Sequence, residues 1–357
     1  MLLLLLTAVA LRLWAVRATS PERVAAALTL ALGPELALYH RIRVGATRLG
    51  LSGGSLIVTD LSLQPDSATM ARLEREGAQP PVRYQVTVPR IEITGIGRLA
   101  ALRGQVDLGA VIVHQPEFQT WRDRTIPRRG PRDTVMLPHQ RLRRMERGGA
   151  FGSIEVRDGL LRYHERAGDG ARFAELTFDS LQARIGRVQF PEPGTPSTVP
   201  IEWTTLVYGQ GRLDVQMEYD LATPGLTMAV AGTLSRTDPA IFNEVLVDLE
   251  GVRITQGTVD TIRWNFSVAE DVAQGTLLVI YRNLRIDKLD KVTRRQDLGD
   301  EIMSFIGNQF ALRTANPRSE GEPAEPTGLW HKRPWHEPLF KFLWVTLRGG
   351  LLKTVGI

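Results

Sequence analysis

Histidine is the first residue type to examine for chemistry in this sequence, because imidazole binds metals and transfers protons near neutral pH. His331 and His336 lie five positions apart with Pro334 between them, which is not the i, i+3 or i, i+4 spacing of a helical metal pair. His164 is followed directly by Glu165, so on a strand the two side chains would point to opposite faces. The other histidines are His40, His114 and His139. The sequence therefore predicts no metal site.

One motif could bind a nucleotide, namely residues 95–100 (Gly-Ile-Gly-Arg-Leu-Ala), which follow a predicted strand. This G-x-G-x-x-A pattern binds a pyrophosphate only where a helix begins after it. About one helical turn fits before Gly104 and the next predicted strand, so we expect no nucleotide binding. A P-loop and a zincin motif are also absent from the sequence. We therefore predict no catalytic residues, no cofactor and no enzymatic activity.

Composition narrows the classes of partner. The chain has 357 residues, 43% of them hydrophobic, a net charge of +5 and no cysteine. The absence of cysteine excludes disulfides, thiolate metal sites and a lipidated cysteine. The positive charge favours contact with anionic lipid or other anions. The densest basic cluster, Arg141-Leu142-Arg143-Arg144, is interpreted as a solvated face, so nucleic acid is not an expected partner.

Strand patterns dominate the chain. Thr261, Arg263, Asn265 and Ser267 alternate with Ile262, Trp264, Phe266 and Val268, the period of a strand with one apolar face. Predicted strands at 252–255, 259–269 and 275–284 form an antiparallel meander, and similar runs extend back to residue 41. Asp158-Gly159 predicts a hairpin turn, and Asp260 is also interpreted as a turn residue. We predict a mainly β fold, an elongated and curved antiparallel groove spanning residues 41–328, with a polar excursion near 120–147.

The N-terminal region predicts two helices. Residues 1–17 are interpreted as a membrane anchor, although sixteen helical residues span only about 24 Å of a hydrocarbon core of about 30 Å. Arg12, Arg17 and Arg23 follow the apolar run and would place the body in the cytosol, whereas a lost basic tail would reverse that orientation. Residues 18–40 predict an amphipathic helix that either packs on the sheet or lies at the bilayer surface.

The C-terminal region combines aromatic and basic residues. A helix is predicted at 296–310 and an aromatic, basic helix within 329–357. Two interpretations of the second helix stay open: it contacts lipid headgroups, or it seals the open end of the sheet. The candidate membrane-interface residues are Trp330, Trp335, Phe340, Leu343, Trp344, Leu347 and Leu351.

Several short segments, taken in order, resemble the AsmA-like family of envelope proteins (AsmA and TamB types), relatives of the bridge-like lipid-transfer proteins. They are an apolar N-terminus with a following helix, 54–63 (Gly-Ser-Leu-Ile-Val-Thr-Asp-Leu-Ser-Leu), 99–108 (Leu-Ala-Ala-Leu-Arg-Gly-Gln-Val-Asp-Leu), 152–159 (Gly-Ser-Ile-Glu-Val-Arg-Asp-Gly), a helix at 238–243, 257–260 (Gly-Thr-Val-Asp), 275–284 ending in Tyr-Arg-Asn-Leu, and 316–318 (Asn-Pro-Arg). The resemblance implies a β-taco groove, a single-pass inner-membrane location in a didermic bacterium with the body in the periplasm, and a role in lipid handling or envelope biogenesis. The short anchor and the brief chain depart from the family.

Two functional hypotheses follow. In the first, an apolar groove lined by Ile262, Trp264, Phe266, Leu278 and Ile280 shelters acyl chains, with membrane lipids as partners. In the second, the protein is a scaffold or assembly factor that binds envelope proteins through its sheet edges, without lipid cargo. The sequence leaves the choice between them, and the oligomeric state, open.

Overall fold

The computed structural model describes residues 20–32, 34–50, 54–96, 106–127, 135–143, 149–168, 172–189, 198–289 and 313–356. The predicted anchor at 1–17 and the predicted helix at 296–310 lie outside these ranges. Residues 97–100 of the G-x-G-x-x-A motif lie outside them as well.

The described residues form a mainly β protein, as predicted, with one 15-stranded sheet. The strands are β1 His40–Arg43, β2 Ala46–Leu49, β3 Ser55–Pro65, β4 Val82–Thr94, β5 Val106–His114, β6 Glu117–Asp123, β7 Gly149–Arg166, β8 Ala174–Ile185, β9 Val188–Gln189, β10 Thr198–Val207, β11 Gly211–Asp220, β12 Met228–Leu234, β13 Val252–Ala269, β14 Val272–Lys288 and β15 Thr327–Lys332. Neighbours along the sheet follow the order β1-β3-β4-β5-β7-β8-β10-β11-β12-β13-β14-β15.

The sheet is mixed, so the prediction of a purely antiparallel sheet was wrong. Both β5 and β6 pair with β7 in parallel, whereas the other strand pairs are antiparallel. A parallel pair needs a connection that returns the chain to the starting edge of the sheet. The predicted excursion near 120–147 is that connection, and its first residues, Thr120 to Asp123, belong to β6.

Two aspartates predicted to sit in turns lie inside strands instead. Asp158 is within β7 with a φ of 52°, and the register with β8 shifts between Val156 and Gly159. Asp260 is within β13 where the register with β14 shifts, and the predicted strands 252–255 and 259–269 are one strand. Asp-Gly favours a left-handed backbone conformation, which a β-bulge uses as readily as a hairpin turn does.

The segment 18–40 forms two helices, α1 (Pro21–Leu32) and α2 (Pro34–Tyr39), instead of one. Val24 and Leu28 of α1 are each 1% exposed and belong to the sheet's hydrophobic core. Burial of this apolar stripe supports the first of the two predicted placements, a helix packed on the sheet.

Four further helices lie within the described residues. They are α3 (Ser67–Arg75), α4 (Pro138–Arg143), α5 (Asn243–Val245) and α6 (Leu339–Val355). Asp66 caps α3 by accepting a hydrogen bond from the Thr69 amide at 2.8 Å. A 3₁₀ turn (Pro239–Phe242) and a π turn (Leu246–Glu250) flank α5.

The core lies against one face of the sheet, which we call the inner face. Residues that are directly paired across strands share a face, so the register can be followed from strand to strand. One such row crosses eleven strands and consists of ten apolar residues and one glycine. Its members are Leu56, Ile93, Val111, Ile154, Ile185, Ile201, Met217, Val230, Phe266, Gly275 and Leu329.

A substitution at Gly275 would test this strand register. A Cβ added at Gly275 would lie 2.2 Å from the Asn265 carbonyl oxygen and 2.4 Å from Phe266 Cα. We expect Gly275→Ala to lower the free energy of unfolding by about 1–3 kcal/mol, because backbone atoms must move. Gly328→Ala is the control, since nothing lies within 4 Å of its added Cβ, and should change stability by less than about 0.5 kcal/mol. Urea unfolding followed by circular dichroism would measure both, and equal midpoints would contradict the register.

Candidate functional site

The structure divides the five predicted groove residues between the two faces of the sheet. Ile262, Trp264 and Phe266 lie on the inner face, and Phe266 is 1% exposed. Leu278 is paired with Arg263 and Ile280 with Thr261, so both lie on the outer face. Their assignment to the inner face was therefore wrong.

The hairpin turn decides the face of β14. Glu270 and Asp271 have φ values of 48° and 68°, the left-handed pair of a two-residue type I′ turn, and Ala269 is paired with Val272. The register set by this turn pairs Leu277 with Trp264, and Leu277 is fully buried. The run Leu277-Leu278-Val279-Ile280 has no alternation, so the sequence contained no signal for its register.

Helix α6 lies on the inner face over β14 and β15. A Cβ added at Gly350 would lie 2.3 Å from a Leu329 methyl group, so the helix approaches the sheet closely where it has no side chain. Near its C-terminus, the Thr354 and Thr327 hydroxyl groups are 2.8 Å apart. The Tyr281 hydroxyl donates to the Thr354 carbonyl oxygen at 3.3 Å.

The predicted membrane-interface residues separate by burial. Leu343 is buried in the core, and Leu347 and Leu351 pack against it. Four aromatic side chains are instead exposed by more than half, and we call them the exposed aromatics. They are Trp330 (63%), Trp335 (53%), Phe340 (62%) and Trp344 (57%). Of the predicted helix 329–357, residues 329–332 belong to edge strand β15. Leu343, Leu347 and Leu351 therefore cover the sheet, so their assignment to the membrane interface was wrong, whereas contact of the exposed aromatics with lipid headgroups stays a prediction.

Aromatic residues also reach the inner face from α6. The ring centroids of Phe340 and Trp203 of β10 are 6.5 Å apart. Trp203 and Trp264 lie in one row of the register, separated by Val215 and Gly232, and both tryptophans are only partly buried. The indole Nε1 of Trp264 is buried and has no hydrogen-bond partner among the described residues.

The sequence analysis missed a polar cluster on the inner face. Arg122 is directly paired with Glu165 across β6 and β7, and Val82 is paired with Arg122 across β4 and β6. Arg124 Nε donates to Glu165 Oε1 at 2.7 Å, and the Tyr163 hydroxyl donates to Glu165 Oε2 at 2.9 Å. The available signal for this cluster was the change of charge sign along Trp121-Arg122-Asp123-Arg124, which on a strand places the two arginines on one face and Asp123 on the other. The sequence analysis instead placed these residues in the polar excursion near 120–147.

A second carboxylate extends this cluster. Arg348 of α6 lies 3.5 Å from Glu250, whose negative charge also acts on Arg124. We call the whole set the inner polar cluster. Its members are Arg122, Arg124, Tyr163, Glu165, Glu250 and Arg348. Three guanidinium groups face two carboxylates, which leaves one excess positive charge.

Burial and the Glu165 charge set the ionisation of the cluster. Burial, reinforced by the nearby Glu165 carboxylate, raises the pKa of Tyr163 well above its usual value, so the phenol remains a donor. Burial alone would lower the pKa of Arg124, but the hydrogen bond and charge of Glu165 outweigh it and raise that pKa. Arg124 and Tyr163 therefore stay protonated, and remain hydrogen-bond donors to Glu165, near neutral pH.

No group of three or more His, Asp or Glu side chains able to hold a metal is found in the part of the chain that the structure describes. None of the helices in the described ranges combines the length and hydropathy that crossing a bilayer requires. Comparison with protein-family models gave no match, and comparison with curated proteins gave none either.

Proposed function

We propose that this protein is a non-catalytic, membrane-anchored envelope protein of a didermic bacterium that handles lipids in envelope biogenesis, with its body in the periplasm. The observation that carries the proposal is the exposure of Trp335, Phe340 and Trp344, which lie on α6 or just before it, beside the apolar face of the sheet. Tryptophan and phenylalanine exposed by more than half are unusual on a surface that meets only water, and they suit the headgroup region of a bilayer.

Charge around the exposed aromatics supports a lipid surface. Lys332 and Lys353 are exposed on β15 and α6, and Lys341 is 40% exposed one position from Phe340. Lysine amines attract anionic headgroups while the aromatic rings enter the interface. The leucine side of α6 is already used against the sheet, so α6 would dock through its aromatic side.

The inner face supplies a place for acyl chains. Trp203 and Trp264 mark its partly exposed row, and Phe340 of α6 lies next to Trp203. The unpaired indole N–H of Trp264 would gain an acceptor from a lipid ester carbonyl. Each methylene that leaves water for this face contributes about 0.8 kcal/mol.

Fluorescence quenching by vesicles with brominated acyl chains tests the membrane contact of the full chain. If the exposed aromatics enter the interface, Trp335→Phe/Trp344→Phe should remove a large part of the quenchable emission. Trp121→Phe is the matched control, because Trp121 stacks on His164 at 4.9 Å on the opposite face of the sheet. An equal loss of quenchable emission from both proteins would count against the docking surface.

A scaffold without lipid cargo is the second candidate, and one observation favours it. Much of the inner face is filled by the protein itself, since Val113 and Leu277 are 0% exposed. Native mass spectrometry of the full chain separates the two candidates. Bound lipid that is retained by the wild type and reduced in Trp264→Ala supports lipid handling. Lipid-free protein that crosslinks to envelope proteins supports the scaffold.

A further inference from the structure

The inner polar cluster lies at one end of an otherwise apolar face. Phe118 is paired with Leu161 and Val86 with Phe118, so these apolar residues lie two rows from Arg122 and Glu165, with Tyr84, Thr120 and Tyr163 in the row between. Val86 is 4% exposed and Ala174, the β8 partner of Glu165, is 1% exposed, so the protein itself covers both. Phe118 and Tyr84 are only partly buried, so an amphipathic ligand could place its polar end at the cluster and its chains along these two side chains.

Arg122 of β6 and Arg124, which directly follows β6, are both more exposed than the carboxylate they contact. The Glu165 side chain is 6% exposed, whereas Arg122 is 44% exposed and Arg124 is 23% exposed. Glu165 thus lies beneath the guanidinium groups and orients them. An ion pair between two exposed partners contributes little to stability, whereas the carboxylate of this set is buried.

Hydrogen-bond donors outnumber acceptors in this cluster. Two guanidinium groups carry about ten N–H donors between them. Among the described residues, the side-chain partners of these two guanidinium groups are the Glu165 carboxylate and the Tyr163 phenol. The distance of 3.4 Å between Arg122 Nε and Glu165 Oε1 is long for a hydrogen bond. Guanidinium groups bind phosphate through paired N–H donors, so the unused donors suit a phosphate oxygen.

We infer that Arg122 and Arg124 form a binding site for the phosphate headgroup of an anionic lipid whose acyl chains lie on the inner face. This inference rests on the proposed function and adds the class of lipid and the residues that select it. Glu165 and Tyr163 are positioning residues, because they hold the two guanidinium groups in place. The excess positive charge of the inner polar cluster favours an anionic headgroup over a zwitterionic one.

Binding of monomeric short-chain lipids tests the site, because it separates headgroup recognition from docking on a bilayer. Titration calorimetry of the full chain, kept soluble in an amphipathic polymer, would compare dihexanoyl phosphatidic acid, dihexanoyl phosphatidylcholine and inorganic phosphate. We expect phosphatidic acid to bind most tightly. Arg122→Gln should weaken that binding about tenfold, because a charge-assisted hydrogen bond is lost, and should weaken phosphatidylcholine binding less, because the choline ammonium already offsets the charge of that phosphate.

Arg157→Gln is the matched control, because Arg157 is 50% exposed and pairs with Glu155 at 2.8 Å on the outer face. Its lipid affinities should equal those of the wild type. Equal phosphatidic acid affinities of Arg122→Gln and the wild type would overturn the headgroup site while leaving the proposed function intact. Inorganic phosphate binding as tightly as phosphatidic acid would overturn a lipid site in favour of a free-anion site. Absence of binding by either lipid would remove the proposed function as well.

Discussion

Phe266→Ala should lower the free energy of unfolding by about 3–5 kcal/mol, because it removes a large side chain from a closely packed interior. Phe266 is 1% exposed and lies in the row that crosses the sheet, between Val230 and Gly275. The space it leaves would be difficult to refill, since Gly275 has no side chain and backbone atoms limit the approach of neighbours. Urea unfolding monitored by circular dichroism would measure the loss.

Asn265→Ala provides the control for that substitution on the same strand. Asn265 is exposed on the outer face, so its replacement should change stability by less than about 0.5 kcal/mol. The comparison also bears on function. A loss of less than about 1 kcal/mol from Phe266→Ala would mean that Phe266 borders an open trough instead of a packed core. A loss in the predicted range would confine any acyl chain to the partly exposed rows near Trp203 and Trp264.

Arg333→Met should lower the free energy of unfolding by about 2–3 kcal/mol, because it removes the charge-assisted hydrogen bonds of a buried guanidinium, while its partner Asp271 is 31% exposed and regains water. The Arg333 side chain is 5% exposed, and its Nε donates to Asp271 Oδ1 at 2.6 Å. Its Nη1 donates to the Glu337 carbonyl oxygen at 2.9 Å. Arg333 therefore joins the β13–β14 hairpin to the start of α6, and its loss should also speed hydrogen exchange in α6.

Arg212→Met is the comparison for Arg333→Met. Arg212 forms a well-aligned pair with Asp214 at 2.9 Å, but the two side chains are 62% and 47% exposed. Such an exposed pair contributes little to stability, so Arg212→Met should lose much less than Arg333→Met, because water and salt screen the pair. If the two variants lost equal stability and α6 exchanged at the wild-type rate in both, Arg333 would not be the residue that fixes α6 to the sheet.

The exposed aromatics and the inner polar cluster give the proposed function two separable parts. Trp335 and Trp344 would bring the body to a lipid surface, whereas Arg122 and Arg124 would select the headgroup of a bound molecule. Because Arg122 lies on β6 and Trp344 on α6, a variant at one of these two residues should leave the measurement for the other unchanged. Measuring quenching and short-chain lipid affinity on the same variants would test that independence.

The sequence by itself determined the features that depend on local periodicity. The alternation around Ile262, Trp264 and Phe266 identified a strand and its apolar face, because side chains alternate strictly along a strand. The spacing of Leu343, Leu347 and Leu351 likewise gave α6 an apolar side, which the structure places against the core.

Only the tertiary structure decided the features that depend on pairing between distant segments. Leu278 and Ile280 face outward because the turn at Glu270-Asp271 sets the register of β14, and their own apolar run carries no preference for either face. Arg124 and Glu165 are 41 residues apart and meet because the connection after β6 returns the chain in parallel. The physical reason is that backbone hydrogen bonds between strands fix which side chains meet, and local sequence does not encode those partners.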